Sequence, residues 1–362
     1  MRSTTEHRFP LTNNLSYMYQ LYCSYILLFK NSDDLSSFMD ASRLQQGLQQ
    51  LVRLHYKPVA GWYETRGNHI DVVYSSHEFN DPPFATQTLD ISYDTLAAHV
   101  NASNEALLVP DAPMGLIASA SERLPMFLVK VTYLQDNGGI ALGIKYHHSL
   151  FDGATFWPFV VNWAHVCRTK QSASIPYPPV FGFPDIEAAQ PDDPQFHHSE
   201  YELVKPQDCA REFKTEHEPT KELRLRLGIT AQREFRNAAR TASVSFTAML
   251  CAVFWKELGR LRLLFRPEVG SEVSLFTCTV NPREALGLAP NLCGSPVVNV
   301  AVKRTVAEVV ALEPADLARL ACQAIANAQD PAYMRSSVRF LLDQRLRELD
   351  DVSNGRHDEP KL

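Results

Sequence analysis

The middle of the sequence constrains the fold more than any other part. Apolar and polar residues alternate from Phe127 to Leu134 and from Ile140 to Tyr146, with the run DNGG at 136–139 between them. Two alternating runs around an Asn-Gly pair predict a β-hairpin. The second strand leads directly into the heptapeptide HHSLFDG at 147–153, and residues 154–167 then have the length and apolar spacing of a buried amphipathic helix. We therefore predict that the heptapeptide occupies a strand-to-helix junction, where rigid elements commonly position ligand-binding side chains.

The rest of the chain shows a mixed α/β pattern that is interrupted once. The apolar spacing predicts helices at 42–54, 230–241, 245–262, 315–329 and 336–349, and strands at 69–74, 222–227, 274–280 and 296–302. The last of these strands is apolar enough to be buried on both faces. The Pro-rich stretch at 172–212 predicts a linker between two domains, at 1–171 and 213–362.

Composition excludes several classes of protein. A chain of 362 residues is long enough for two cores, and its net charge of -6 argues against a nucleic-acid binder. Seven cysteines, never spaced as CxxC, argue against a zinc site or a disulfide framework and suit a reducing compartment. The apolar run from Leu21 to Phe29 is too short to span a bilayer and too far from the start for a secretory signal. We therefore expect a cytoplasmic protein without nucleic-acid, membrane or metal partners.

The heptapeptide carries residue types that suit acyl transfer. Moving an acyl group from a thioester to a hydroxyl or amine requires a base that takes the acceptor's proton, and His148 is the candidate. The thioester is already activated, so no covalent enzyme nucleophile is needed, and no GxSxG elbow is present. Asp152 either orients His148 or braces the loop through an ion pair, and a tight turn at Gly153 would let the next helix start close to the site. Taken alone, the heptapeptide is equally compatible with a satisfied polar strand edge.

Four ordered segments resemble the BAHD acyltransferase family. The heptapeptide matches the family's HxxxDG signature. The segment LQQLVRLHYKPVAG at 48–61 is similar to the family's early helix and YPLAG turn, followed here by Trp62 where the family usually has Arg. The segment SFTAMLCAVFWKELGRLR at 245–262 is similar to a helix of the second domain, and VNPREALGLAPNLCGSP at 280–296 resembles the segment from an Asp-x-Arg to a YFGN turn. The resemblance covers nearly the whole chain, roughly residues 10 to 345.

The resemblance implies an α/β fold of the two-domain, chloramphenicol-acetyltransferase-like type, with mixed sheets flanked by helices. It implies that His148 is the general base facing a solvent channel between the domains, and that Asp152 points away from the channel and pairs with Arg283. The co-substrate would be acyl-CoA, the acceptor an alcohol or amine of a specialised metabolite, and no cofactor would be bound. The residues expected near the CoA arm and phosphates are Ser245, Thr247, Arg260 and Arg262, although Ser245 is equally suited to cap its helix.

The sequence departs from the family pattern towards its end. The DFGWG signature is absent, the YFGN turn reads LCGS at 292–295, and Asn281 replaces the Asp ahead of Arg283. Since DFGWG is regarded as structural, we expect an incomplete C-terminal domain and a monomer, unless a partner covers the exposed sheet edge.

Three functions remain open at this point. They are acyl transfer from CoA, acyl transfer from a carrier protein as in the condensation domains of peptide synthetases, and a non-catalytic paralogue. The sequence leaves open the acyl donor, the acceptor and the choice between O- and N-acylation.

Overall fold

The computed structural model describes residues 6–10, 22–66, 69–75, 80–99, 106–112, 124–182, 196, 198 and 227–340. These residues divide into two compact units. The first unit contains the described residues of Met1–Ala188 together with Leu288–Pro296, and the second contains those of Ala189–Gly287 and Val297–Leu341. The sequence predicted that 288–296 belongs to the C-terminal domain, whereas the structure groups this segment with the first unit. The backbone of that segment bonds to the first unit, as described below.

The first unit is built on two sheets. Its strands are β1 (Glu6–Pro10), β2 (Tyr22–Lys30), β3 (Trp62–Arg66), β4 (His69–Ser75), β5 (Phe84–Leu89), β6 (Phe127–Leu134) and β7 (Gly139–His147). Strands β1, β4 and β3 form an antiparallel sheet in that order. The other sheet has the order β2-β7-β6-β5, in which β5 and β6 run parallel and the remaining pairs are antiparallel. The predicted hairpin is confirmed as β6 and β7, and the predicted strand at 69–74 is confirmed as β4.

Helices complete the core of the first unit. They are α1 (Ala41–His55), α2 (Tyr93–His99) and α3 (Gly153–Thr169). The helix predicted at 42–54 is α1, and its apolar stripe packs in one buried cluster with residues of α3, β6 and β7. The indole Nε1 of Trp163 in α3 donates to the carbonyl oxygen of Leu44 in α1 at 2.9 Å. The two helices are therefore joined by a buried hydrogen bond as well as by apolar contact.

The second unit is smaller and has one described sheet. Strands β8 (Val273–Val280) and β9 (Val298–Thr305) pair antiparallel. The helices are α4 (Ile229–Ala242), α5 (Phe246–Phe265), α6 (Val306–Ala311) and α7 (Pro314–Ala328), and residues 331–340 are also helical. Helix α5 packs against α6 and α7, and its Trp255 donates from Nε1 to Ser274 Oγ of β8 at 2.8 Å.

Most predicted elements of the second unit are confirmed, with two differences. Strand β9 was expected to be buried on both faces, but Asn299 and Ala301 are half-buried and Lys303 is exposed. The sequence analysis also missed α6, which begins with a capping box formed by Thr305 and Glu308. The predicted strand at 222–227 lies outside the described residues except at its last position, and so does the end of the helix predicted at 336–349.

Among the described residues, no single helix has the length and apolar composition needed to cross a membrane. Helices α4 and α5 meet that test only when taken as a pair, and the pair is bent by 102°.

Candidate active site

His148 lies in a turn between β7 and α3. Strand β7 ends at His147 and α3 begins at Gly153, and the turn is closed by a hydrogen bond from Leu150 N to His147 O at 3.0 Å. The His148 side chain is half-buried. Its Nδ1 atom is enclosed and makes no hydrogen bond within the part of the chain that the structure describes. The predicted strand-to-helix junction is therefore present, and His148 is held at it.

The residues on either side of His148 are anchored by two tyrosines. The Tyr63 hydroxyl of β3 forms a hydrogen bond with Ser149 Oγ, and its ring meets the His147 ring edge-on, with centroids 4.8 Å apart. The Tyr22 ring contacts the same imidazole, with ring centroids 3.9 Å apart. Burial raises the pKa of Tyr22 to about 12 and raises that of Tyr63 as well, so both phenols stay protonated at neutral pH. We call Tyr22, Tyr63, His147 and Ser149 the tyrosine clamp.

Phe151 and Asp152 connect the turn to the core and to α3. The Phe151 ring is fully buried, 5.0 Å from the ring of Phe159 in α3 and 5.7 Å from that of Tyr146 in β7. Asp152 is the N-cap of α3, and its Oδ1 accepts from Ala154 N at 3.1 Å, from Thr155 N at 3.2 Å and from Thr155 Oγ1 at 3.0 Å. Capping is thus a third role for this carboxylate, which the sequence analysis did not consider.

Gly153 does not have the backbone conformation that would require glycine. It is the first residue of α3, its φ lies outside the left-handed region, and an added Cβ would meet nothing within 4 Å. The helix does start close to His148, but the Asp152 cap rather than a glycine turn explains this.

The segment Leu288–Pro296 forms a strap beside the heptapeptide. Cys293 N donates to Val180 O at 2.7 Å, Val180 N donates to Asn291 O at 3.1 Å, and Gly294 forms a parallel bridge with Phe151. Gly294 has φ 132°, a conformation that side-chain-bearing residues rarely adopt. The sequence LCGS therefore supports the heptapeptide from this side even though it lacks the aromatic residue and the Asn of the family's turn.

Ser295 is the buried hydroxyl of the strap. It is completely inaccessible to solvent, and its Oγ has no hydrogen-bond partner among the described residues.

Arg283 lies in the second unit and is almost fully buried. Its backbone N donates to Asn281 Oδ1 at 3.0 Å, and its Nη1 donates to the same oxygen at 3.2 Å. Asn281, which departs from the family pattern, therefore orients the guanidinium of Arg283.

The four residues expected near CoA are spread along one helix of the second unit. Ser245 is the N-cap of α5 and accepts from Ala248 N at 3.0 Å, so the alternative capping role is the one observed. Thr247 is exposed in the first turn. Arg260 pairs with Glu257 at 3.2 Å and Arg262 with Glu272 at 2.9 Å, all on the surface. Since a helix rises about 1.5 Å per residue, Thr247 and Arg262 are about 22 Å apart and cannot hold the same phosphate.

The tyrosine clamp was not predicted from the sequence. No role was expected for His147, and neither β2 nor β3, which carry Tyr22 and Tyr63, was predicted. A usable signal was present for β3, because Trp62 and Tyr63 directly follow the turn that ends at Gly61. No signal in the sequence pairs Tyr63 with Ser149, which lie 86 positions apart.

Comparison with known proteins agrees with the fold and shows the family. Residues 2–362 match the model of a family described as the Transferase family. Rosmarinate synthase of Plectranthus scutellarioides is 25% identical over 338 residues, which cover 91% of this chain and 73% of that enzyme. A malonyl-coenzyme A:anthocyanin 3-O-glucoside-6''-O-malonyltransferase of Dahlia pinnata is 41% identical over 106 residues, or 27% of this chain and 22% of that enzyme.

Among solved structures, F. graminearum TRI101 complexed with coenzyme A and deoxynivalenol has a TM-score of 0.67 at 17% identity, and the match covers 96% of this chain and 79% of that one. At this identity the likeness shows the fold alone, and it confirms the predicted chloramphenicol-acetyltransferase-like class. From the family match across nearly the whole sequence, we conclude that this chain belongs to the BAHD family of acyl-CoA-dependent acyltransferases that act on small metabolites.

Proposed function

We propose that this chain transfers an acyl group from acyl-CoA to a hydroxyl or amine of a small metabolite, with His148 as the general base. The observation that carries the proposal is the position of His148, in a turn whose neighbouring residues are anchored on both sides. A general base must lie within hydrogen-bond reach of the proton that it abstracts, so a fixed turn suits this role better than a mobile loop.

The proposed reaction needs no covalent enzyme intermediate. His148 takes the proton from the acceptor's O–H or N–H while the acceptor atom bonds to the thioester carbonyl carbon. The tetrahedral intermediate then collapses, the C–S bond breaks, and the CoA sulfur leaves with the proton that His148 returns. The products are the acylated acceptor and free CoA, and the imidazole returns to its neutral state.

We also propose that Arg283 pairs with Asp152, as the family resemblance implies. Both side chains are buried, and a buried charge is costly unless it has a partner of opposite sign. The Asp152 carboxylate would then both cap α3 and hold the guanidinium. Arg283→Gln is expected to lower kcat without moving the KM for acyl-CoA, and the double variant with Asp152→Asn should lose less than the sum of the two single losses.

We propose three of the four predicted residues as neighbours of CoA. Ser245 is already used as a helix cap, so we retain Thr247 for the CoA arm and Arg260 and Arg262 for phosphate groups. Changing either arginine to Gln should raise the KM for acyl-CoA and leave kcat unchanged. An unchanged KM would show that Arg260 and Arg262 form only surface ion pairs, which contribute little to stability.

The central test measures free CoA released from acetyl-, malonyl- and hydroxycinnamoyl-CoA in the presence of alcohol and amine acceptors. His148→Gln keeps a hydrogen-bonding side chain but removes the base, so we expect a loss of about 10²–10⁴ in kcat. The matched control is His165→Gln in α3, which changes a half-buried histidine of the same unit and should leave kcat unchanged.

Three outcomes would contradict the proposal. Turnover in His148→Gln equal to that of the wild type would show that His148 is not the general base. Turnover only with carrier-bound thioesters would favour the condensation-domain class. Binding of acyl-CoA without turnover across the acceptor panel would favour a non-catalytic paralogue.

A further inference from the structure

We propose that Tyr63 is a positioning residue for His148, because it contacts both His147, which precedes the base, and Ser149, which follows it. Its ring packs against His147 and its hydroxyl bonds to Ser149. The inference rests on the proposed function of His148 and adds a residue that lies in a separate sheet from the strand that ends at the motif.

The first contact fixes the residue before the base. The His147 imidazole is buried and contacts two rings, that of Tyr63, which meets it edge-on at 90°, and that of Tyr22, whose centroid is 3.9 Å away. Tyr22 is in turn held by its hydroxyl, which donates to Pro125 O at 2.7 Å, and by its position opposite His147 in the β2–β7 register. The backbone N of His147 also donates to Met126 O at 3.0 Å. His147 therefore has little freedom of position or of ring rotation.

The second contact fixes the residue after the base. Ser149 is buried, and its Oγ shares a hydrogen bond with the Tyr63 hydroxyl. Two apolar side chains of the same shape would stabilise this interior about as well, since exchanging both partners of a buried hydrogen bond for apolar groups is nearly neutral. What the hydroxyl pair adds is direction, because a hydrogen bond fixes both the distance and the angle between its partners.

His148 lies between these two anchors, so the position of its Cα follows from where Tyr63 lies in the three-stranded sheet. Proton transfer is sensitive to that position, because a displacement of about 1 Å can cost about 10²-fold in rate. Tyr63 is therefore a positioning residue, because the contacts that carry the inference are those with His147 and Ser149.

The test uses full-length protein and removes one hydroxyl at a time. In Tyr63→Phe the ring that packs on His147 stays and the bond to Ser149 is lost. We expect kcat to fall about 10- to 100-fold, the KM for acyl-CoA to stay within about twofold, and the pH profile of kcat to keep its shape. Ser149→Ala should reproduce this loss. The double variant should be no worse than either single one, since both remove the same bond.

The matched control is Tyr133→Phe in β6. Tyr133 also has a structural hydroxyl, which accepts from Ala41 N at 2.8 Å and donates to Met39 O at 3.3 Å. This variant should lose a similar amount of stability in urea unfolding and keep its kcat. Equal kcat losses in Tyr63→Phe and Tyr133→Phe, once corrected for the folded fraction, would overturn the positioning role.

A second measurement does not depend on turnover. In protein with ¹⁵N-labelled histidine, the ring signals of His148 are identified by their absence in His148→Gln. We expect these signals to broaden or divide in Tyr63→Phe and to be unchanged in Tyr133→Phe. Unchanged His148 signals in Tyr63→Phe would overturn the inference whatever the activity. If the His148 signals change in Tyr63→Phe but the wild-type protein shows no turnover, the positioning role of Tyr63 is supported and the proposed function is contradicted.

Discussion

The two units of this chain fill their interiors with side chains of different size. In the first unit the largest fully buried side chains include six aromatic rings, those of Tyr56, Phe127, Tyr146, Phe151, Phe156 and Phe159. One of the two buried clusters of the second unit is built mainly on Ala248, Ala252, Val302, Val309, Leu317 and Ala318, with Trp255 as its large ring, and the other contains Val280, Val298, Val300, Ala328 and Met334. The heptapeptide belongs to the aromatic core, because Leu150 and Phe151 are part of it.

Among the described residues, the exposed large apolar side chains of the second unit lie mostly on one helix, whereas those of the first unit are spread over several elements. Helix α5 of the second unit exposes large apolar side chains along one side, with Leu264 at 71% and Phe265 at 78% of their full accessibility. In the first unit, both ends of the turn that holds His148 are fixed by buried rings and hydrogen bonds. Large buried rings therefore pack against the turn that holds His148, and a closely packed interior transmits even small displacements.

The largest expected effect comes from opening the aromatic core. Phe159→Ala removes a fully buried ring that contacts those of Phe127 and Phe151 at 5.0 Å each, so we expect a loss of about 3–5 kcal/mol. Urea unfolding followed by circular dichroism measures the loss. A cost below about 1 kcal/mol would mean that the core collapses around the gap, and the contrast between the two units would then fail.

The next effect tests the strap. Gly294→Ala places a Cβ on a backbone with φ 132°, and strained backbone of this kind costs about 1–3 kcal/mol. Gly153→Ala is the matched substitution, because its φ is ordinary and its surroundings are open, and it should stabilise the protein by about 0.4–1 kcal/mol. Thermal unfolding compares the two. Destabilisation by Gly153→Ala would show that the backbone at this position requires glycine, as the predicted tight turn implies.

A smaller effect compares the helix caps of the two units. Asp152 Oδ1 accepts three hydrogen bonds at the start of α3, whereas Ser245 Oγ accepts one at the start of α5. From the cap alone we expect Asp152→Ala to cost up to about 2 kcal/mol and Ser245→Ala about 1 kcal/mol or less. The proposed pairing of Asp152 with Arg283 would add to the first of these losses. Asp152→Ser keeps a capping oxygen and should recover part of the loss. Equal costs for the two alanine variants would show that the additional bonds of Asp152 contribute nothing.

The smallest effect is expected on the exposed face of α5. Leu258 is 58% exposed there, so Leu258→Ala should change stability by no more than about 0.5 kcal/mol. Leu317→Ala in the same unit removes a fully buried leucine and should cost about 2–5 kcal/mol. Both variants can be compared by urea unfolding. A large loss in Leu258→Ala would show that this face is covered in solution.

Local pattern was sufficient for much of the fold. The hairpin of β6 and β7, the amphipathic helix α1 and the junction at His148 were all predicted, since each depends on residues close together in sequence. Strands β2 and β3 were missed because their periodicity is weak, and Gly153 was misread because a cap and a glycine turn both place a helix start at the same position.

By itself, the sequence determined which residues can do chemistry, because the residue types and spacing of HHSLFDG are local properties. Only the tertiary structure decided how that chemistry is held. It brought Tyr63 to Ser149 and Gly294 to Phe151 across long stretches of chain, and it placed residues 288–296 with the first unit. The physical reason is that such contacts depend on how whole sheets pack, and hydrophobic periodicity specifies which face of an element is buried but not what it is buried against.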